Sequence, residues 1–405
     1  MNQDNYSNRI ENQSILCFAS GPWDTMWRNR HQIMSRLAKK NKVLYIEPQI
    51  QGIRQVLSFR KKSTKHQNLN NESLRHIDNG LWVYRYPRWT FKSDRFILSW
   101  LGVMLRIFAI SNVLRKLKMK SPIIWVVEPR FGDVIKYLKE SLICYHVVDN
   151  YVASPYYPET VRKELEKTDK VMLSIADLVI VTSPFLFNEK SKHHNNVHLV
   201  KNAVDYDRFV SPQNHDDIPK DMKHIPQPII GYVGVVNEKL DLELLDAVAR
   251  KRPQWSFVFI GDHYDPSLVD HSNFINNHLP NVFMLGRRDV QDVPRYIHAC
   301  NVCILPYHRD EYTQAIDSLK LYEYFACEKP VVSTDIPAIR EYKQLVYVAN
   351  DANDFITKLE AALISFTPEQ RDSQRSIAMH NTWDKRVEQI SAILNAALVK
   401  KSGVA

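Results

Sequence analysis

The 405-residue chain contains only ten glycines, and no Gly-x-Gly-x-x-Gly sequence occurs among them. That fingerprint lets the backbone approach a dinucleotide pyrophosphate at the start of a helix. Because it is missing from both halves of the chain, the sequence disfavours a dinucleotide-dependent oxidoreductase.

Cysteine is also scarce. The five cysteines are scattered along the chain, mostly in apolar segments where a buried thiol is the ordinary interpretation (Cys17, Cys144, Cys300, Cys303 and Cys327). Cys300 and Cys303 have C-x-x-C spacing, but a structural zinc site needs four ligands and no second pair follows at a suitable distance. Residues 1–14 are polar, so no signal peptide is expected. These observations predict a reduced, cytoplasmic protein that requires no metal ion.

The most informative segment present is residues 318–334, SLKLYEYFACEKPVVST. The apolar runs 302–306 and 331–334 flank a short helix, which predicts a strand-loop-helix-strand unit of a parallel sheet. Ligands of such sheets lie beyond the carboxyl ends of the strands, where free N–H groups and the helix dipole attract a diphosphate. Lys320 lies in the first helical turn and Glu323 one turn deeper on the same face, a spacing that fits a phosphate and the ribose diol attached to it.

This segment resembles the donor-site signature of the GT-B glycosyltransferases, in particular the large retaining family four and a group that includes the xanthan glucuronosyltransferase and teichuronic-acid transferases. The resemblance implies that Glu323 holds the donor ribose and that the turn Ser318, Leu319 and Lys320 binds its diphosphate. Many members carry a second glutamate eight positions upstream, where this chain has Ala315. The sugar and the stereochemical outcome therefore stay open.

Length and apolar content predict two domains of the doubly wound α/β type, since strand and helix patterns alternate in both halves. The segment Lys201 to Phe209 resembles the N-G-V-D-x-x-x-F segment that ends the first GT-B domain. We expect a Rossmann-like acceptor domain at residues 1–210, a proline-rich linker at 211–228 and a Rossmann-like donor domain at 229–380. The resemblance implies that a last helix, within 381–405, crosses back to the first domain.

Several loops at predicted strand ends of the second half converge on the expected cleft. Gly234 permits close approach of the backbone to a phosphate, and Lys239 offers a counter-charge. By resemblance, the backbone at Gly286 and Arg287 reads the nucleobase. The full set of expected donor contacts in these loops is Gly234, Val235, Asn237, Lys239, Asp262, Gly286, Arg287 and Tyr307.

In the first half, Asp149 follows a strong apolar strand and is the expected catalytic base of an inverting enzyme. The alternative is a helix-capping or turn aspartate, which the Asp-Asn sequence favours. The loop after the first strand supplies second-choice catalytic residues, Asp24 and His31. It also supplies expected acceptor contacts, Arg30, Trp23 and Trp27, although the tryptophans could equally pack in the domain.

Positive charge is concentrated between residues 51 and 120, where 15 basic side chains stand against three acidic ones, a net of +12. Aromatic and aliphatic residues are interleaved with them, which favours an anionic membrane surface over nucleic acid. A helix at residues 96–117 is interpreted either as an interfacial helix or as a core helix. Arg95, Arg106 and Arg115 are expected to prevent it from spanning a bilayer.

Together these features predict a cytoplasmic glycosyltransferase on the inner membrane surface. It would move a sugar from a nucleotide diphosphate sugar, with UDP favoured, to a saccharide, lipid-linked, in surface-polysaccharide assembly. Catalysis would be mostly electrostatic and would need no cofactor. Two alternatives remain: a sugar-nucleotide epimerase on the same fold, and a non-catalytic member that binds nucleotide sugar or saccharide.

Overall fold

The computed structural model describes residues 9–25, 27–49, 73–87, 89–90, 96–154, 157–210, 218–237, 239–262 and 279–403. It contains two parallel-sheet α/β domains, which confirms the predicted fold class. The predicted loop at 60–71 and the basic residues Arg88, Lys92 and Arg95 lie outside the described residues.

The first sheet has eight strands in the order β3-β4-β2-β1-β5-β6-β7-β8. Neighbouring strands are parallel except for the β3–β4 pair, which is antiparallel at the sheet edge. The strands are β1 Ser14–Phe18, β2 Lys42–Ile46, β3 Leu74–Asp78, β4 Leu81–Tyr84, β5 Ile123–Val126, β6 Leu142–Val147, β7 Leu178–Val181 and β8 Val197–Leu199.

The second sheet has six parallel strands in the order β11-β10-β9-β12-β13-β14. The predicted unit around the signature segment is confirmed, because β12 and β13 are adjacent and pair in parallel. The strands are β9 Ile229–Val233, β10 Ser256–Ile260, β11 Val282–Gly286, β12 Val302–Leu305, β13 Val331–Thr334 and β14 Val346–Ala349.

The central strands are apolar on both faces because helices cover both sides of each sheet. In β1, Ile15 and Cys17 belong to one hydrophobic cluster, while Leu16 and Phe18 belong to the cluster on the opposite face. The α-helices are Asn29–Leu37, Phe96–Lys116, Gly132–Ile135, Glu159–Ile175, Pro184–Ser191, Tyr206–Val210, Leu242–Lys251, Val293–Ala299, Glu311–Gln314, Leu319–Ala326, Pro337–Arg340, Ala352–Ile364, Pro368–His380 and Trp383–Ser402.

The last helix, Trp383–Ser402, packs on the first domain. Trp383, Ile390 and Leu394 are fully or almost fully buried in the same cluster as β1. The chain enters this helix beside the segment through which it left the first domain, since a parallel bridge joins Val204 to Thr382. The two chain segments that connect the domains therefore lie side by side.

The helix Phe96–Lys116 is continuous and lies against the first sheet. Within it, the segment Leu98–Lys116 is long and apolar enough to cross a membrane by length and composition alone. The expectation that its arginines exclude a membrane span is therefore wrong on this criterion. A third of that segment is buried, and core helices of soluble proteins pass the same test. The Arg106 side chain is only 4% exposed and binds Asp133 at 2.7 Å, which attaches the helix to the domain.

Candidate active site

The signature helix Leu319–Ala326 begins at the carboxyl end of the second sheet. Its apolar face buries Leu321, Tyr324 and Phe325 in the hydrophobic core of the second domain, which fixes the helix on the sheet. Ser318 occupies the N-cap position in extended geometry, but its side chain accepts no hydrogen bond from the helix. The Leu321 N–H donates to the Ser318 carbonyl at 3.2 Å, so the Leu319 and Lys320 N–H groups are the ones that no hydrogen bond among the described residues occupies and that can bind an anion.

Lys320 and Glu323 lie three residues apart on this helix, and each shifts the pKa of the other. The pKa of Lys320 is lowered to about 8, chiefly by burial; Glu323 opposes the shift, and the nearby cations Lys239 and Arg28 contribute to it. Burial likewise raises the pKa of Glu323 to about 7, against the opposing effect of Lys320 and Arg208. Both groups therefore change charge close to neutral pH, as often occurs at functional sites.

Gly234 allows the Lys320 side chain to lie across the end of β9. Its φ of +152° is unusual for other residues, and a Cβ atom there would stand 2.0 Å from Lys320 Cε. The Lys320 ammonium lies 5.4 Å from the centre of the Tyr232 ring. Glycine at this position thus makes room for the lysine that the sequence assigns to the diphosphate.

Neighbouring strand ends are joined beneath this site. The Gly234 N–H donates to the Ile260 carbonyl at 2.8 Å, and the Gly261 N–H donates to the Gly286 carbonyl at 3.0 Å. Val236 N–H donates to the carbonyl of Asp262, whose side chain is exposed. The predicted donor contacts of β9, β10 and β11 therefore share one edge of the sheet, with Val235 and Asn237 in the same loop and Arg287 exposed just beyond β11.

Asp149 and Lys239 meet across the cleft. Their charged atoms are 3.5 Å apart, and the Lys239 ammonium also lies 4.9 Å from the centre of the Tyr312 ring. Asp149 follows β6 in the first domain, whereas Lys239 follows β9 in the second. The expected base and an expected phosphate ligand are therefore adjacent.

Tyr307 supports the helix start from below. Its hydroxyl is 3.4 Å from Ser318 Oγ, and its carbonyl accepts a 2.7 Å hydrogen bond from Thr334 Oγ1. The side chain is only 3% exposed, so this residue has a demonstrated packing role in addition to the predicted one.

The first-domain loop forms an aromatic cluster. The ring centres of Trp23 and His31 lie 5.0 Å apart, and those of Trp27 and His31 lie 5.9 Å apart. His31 is fully buried, and burial together with Arg30 lowers its pKa to about 3. The imidazole is therefore neutral at physiological pH.

Two further predicted residues of this loop already have protein partners. Arg30 is 5% exposed and donates from Nε to the Tyr45 hydroxyl at 2.8 Å. Asp24 is exposed and binds Arg75 of β3 at 2.7 Å. The contacts of the described residues do not join Asp24 to the donor helix, and the catalytic and acceptor roles of this loop stay predictions.

Sequence reasoning missed a chain of hydrogen bonds between the domains. The Asn29 side chain donates to Asn202 Oδ1 at 3.3 Å, and the Asn202 side chain donates to the Asp317 carbonyl at 2.8 Å. The Asn202 N–H also donates to the Asp317 carboxylate. Burial raises the pKa of Asp317 to about 6, although the Asn202 hydrogen bond favours the ionised form. In the sequence, only Asn202, within the segment Lys201 to Phe209, could have indicated these hydrogen bonds.

No group of three or more His, Cys, Asp or Glu residues suited to hold a metal ion occurs in the part of the chain that the structure describes. The Cys300 and Cys303 thiols are buried, and the Cys300 thiol donates to the Tyr296 carbonyl.

Comparison with known sequences identifies the second domain. Residues 227–365 match the family model described as Glycosyl transferases group 1. The chain is also 28% identical over 283 residues to TuaH of Bacillus subtilis (strain 168), whose name assigns it to teichuronic acid biosynthesis as a glycosyltransferase. That alignment covers 66% of this chain and 70% of TuaH.

Solved structures extend the likeness to nearly the whole fold. Sucrose-phosphate synthase from Thermosynechococcus elongatus superposes with a TM-score of 0.72 at 14% identity, over 96% of this chain and 100% of that one. Anabaena HepE, solved in complex with UDP and glucose, gives a TM-score of 0.68 at 14% identity, over 95% of this chain and 99% of that one. The matching domain, the curated relative and the shared architecture lead to one conclusion: this chain is a GT-B glycosyltransferase.

Proposed function

We propose that this glycosyltransferase transfers a sugar from a UDP-sugar to a saccharide acceptor, lipid-linked, during assembly of a surface polysaccharide. The observation that carries the proposal is the placement of Lys320 and Glu323 at an uncapped helix start, beside Gly234 and opposite Asp149. The UDP complex of HepE supports the donor, and the name of TuaH supports the polysaccharide.

Donor binding follows from the chemistry of these groups. The ionised Glu323 carboxylate accepts hydrogen bonds from both ribose hydroxyls, as charged acceptors do most strongly. The diphosphate lies at the helix start, where free N–H groups, the helix dipole and Lys320 attract negative charge.

The same groups stabilise the leaving diphosphate. As the glycosidic bond breaks, negative charge grows on the diphosphate oxygens, and Lys320 and Lys239 offset it without a metal ion. For an inverting reaction, Asp149 takes the proton of the acceptor hydroxyl. Its position 3.5 Å from Lys239, the proposed phosphate ligand, supports this role.

The helix Phe96–Lys116 supports a peripheral membrane site. Its exposed apolar face includes Trp100 and Phe108, which are 58% and 59% exposed, and Trp89 lies 6.5 Å from Phe108. Exposed basic residues follow at its end, namely Arg115, Lys116, Lys118 and Lys120. Such a surface suits the anionic inner leaflet, where a lipid-linked acceptor would be anchored. Arg85, by contrast, is neutralised by Glu47 at 2.7 Å and contributes little to this attraction.

Product analysis tests the catalytic proposal. The purified protein would be incubated with a panel of UDP-sugars, with and without a lipid-linked saccharide from the membrane fraction, and the products analysed by mass spectrometry. A mass increase of one sugar on the acceptor, lost in Glu323→Ala, is the expected result. Conversion of the UDP-sugar without acceptor would favour the epimerase, and donor binding without turnover would favour a non-catalytic member.

Liposome flotation tests the membrane proposal. We expect binding to anionic vesicles that weakens with salt and with the double change Trp100→Ser and Phe108→Ser. Ile364→Ser is the matched control, because Ile364 is 85% exposed on a helix of the second domain. Equal binding to neutral vesicles, or equal loss in the control, would contradict the proposed surface.

A further inference from the structure

The loop before helix Asn29–Leu37 is held over the start of the donor helix Leu319–Ala326 by contacts on both sides of Arg28. On one side, Trp27 lies 5.7 Å beneath the Arg208 guanidinium, which belongs to the helix packed on the donor helix. On the other side, Asn29 bonds to Asn202, which bonds to Asp317 one residue before the N-cap Ser318. The position of Arg28 relative to the donor helix is therefore fixed from two directions.

Arg28 is exposed, and among the described residues its guanidinium forms no ion pair and no hydrogen bond. Neighbouring arginines differ in this respect, since Arg30 binds Tyr45, Arg36 binds Asp384 and Arg208 binds Asp205 at 2.7 Å. Arg28 is thus free to bind a ligand in the cleft.

Among the described residues, three cations (Lys320, Lys239 and Arg28) converge at this point with two carboxylates, Asp149 and Glu323. Lys239 and Arg28 both lower the pKa of Lys320, which places each of these two cations within electrostatic reach of Lys320. Burial raises the pKa of Tyr151, and the charge of Arg28 opposes that shift. Tyr151 lies two residues after Asp149, so Arg28 is also close to the expected base. Like charges that approach one another in a partly buried site are costly unless an anion enters between them.

We propose that Arg28, contributed by the acceptor domain, binds the diphosphate of the donor from the opposite side of the cleft. The donor diphosphate would then lie between Lys320 and the helix start on one side and the Arg28 guanidinium on the other. A guanidinium suits this role because it presents parallel N–H donors to phosphate oxygens. Asn29, Asn202 and Asp317 are positioning residues that set the distance between Arg28 and the helix.

This inference rests on the proposed UDP-sugar donor and adds a cross-domain ligand to it. In this arrangement Arg28 contacts the diphosphate but not the nucleoside. Its removal should therefore weaken UDP binding while leaving uridine binding unchanged.

Calorimetry with UDP and with uridine provides the test, using Arg28→Gln, Arg28→Lys and the control Arg250→Gln. Arg250 is a matched control because it is an exposed arginine paired with Asp246 on the far helix Leu242–Lys251. For Arg28→Gln we expect a loss of UDP affinity of about tenfold to hundredfold, as for a charge-assisted hydrogen bond. Arg28→Lys should keep part of that affinity, and uridine affinity should change by less than about twofold.

The outcomes separate the inference from the proposed function. UDP affinity that is unchanged in Arg28→Gln, while Glu323→Ala loses it, overturns the role of Arg28 and leaves the donor site standing. Equal losses for UDP and uridine also overturn it, because they indicate a general disturbance of the fold. Failure of the unmodified protein to bind either compound overturns both the inference and the UDP-sugar donor.

Discussion

The affinity of this enzyme for its donor should depend on pH in a way that identifies Glu323 and Lys320. In the proposed site, Glu323 accepts both ribose hydroxyls strongly when it is ionised, and burial raises its pKa to about 7. Lys320 attracts phosphate only when protonated, and burial has lowered its pKa to about 8. Donor affinity should therefore be highest between about pH 7 and 8.

The sign and size of each limb follow from these values. As pH falls through 7, Glu323 gains a proton, so each further pH unit should cost about tenfold in affinity, or about 1.4 kcal/mol. As pH rises through 8, Lys320 loses its proton and the affinity falls again. At pH 5 the loss should be roughly hundredfold.

The change Glu323→Gln separates the two limbs. Glutamine does not titrate, so the acid limb should disappear, and peak affinity should fall by about 1.5 to 3 kcal/mol. Because the Glu323 charge raises the pKa of Lys320, its removal should also move the alkaline limb below pH 8.

The assay is calorimetry of a UDP-sugar between pH 5 and 9, with circular dichroism to confirm the fold at each pH. A UDP-sugar is preferable to UDP because it lacks a terminal phosphate. That group has a pKa of about 6, and its protonation would also lower the affinity at acid pH. A flat profile, or an acid limb retained in Glu323→Gln, would refute the assignment of Glu323 to the ribose.

Three further predictions concern other parts of the structure. Asp149→Asn should abolish most sugar transfer in steady-state kinetics while donor affinity stays within a few-fold, and wild-type turnover would contradict a catalytic base. Gly234→Ala should displace Lys320 and weaken UDP binding in calorimetry at least about tenfold, whereas Gly403→Ala, where a new Cβ meets no neighbour, should not. Trp383→Ala should lower the free energy of unfolding of the first domain by about 3 to 5 kcal/mol in urea titrations, and a change below about 1 kcal/mol would show that the last helix adds little stability.

Much of the fold follows from the sequence because the buried strands are short, continuous apolar runs between polar loops. The strands around Trp125, Tyr145 and Val332 were each predicted within one or two residues. The edge strand Leu74–Asp78 was missed because three of its residues are exposed and its sequence, LRHID, has no apolar run.

The site was predictable where one segment carries the chemistry and hidden where distant segments meet. Lys320 and Glu323 lie three residues apart on one helix, so local spacing indicated them. Arg28, Asn202 and Asp317 are brought together only by the packing of two domains, and no local period reveals them. The pairing of Asp149 with Lys239 was hidden for the same reason.

The return of the last helix to the first domain has a consequence for how the protein is made. Trp383, Ile390 and Leu394 complete a core whose other buried members lie between Ile10 and Ala203, far earlier in the chain. Domains usually fold in order as they leave the ribosome, but here the second domain has all its strands before the first has its final helix. A chain that stops before this helix would carry a finished second domain attached to an open first domain. Full closure of the first core therefore waits until the helix Trp383–Ser402 has been synthesised, and termination before it leaves apolar surface of the first domain exposed.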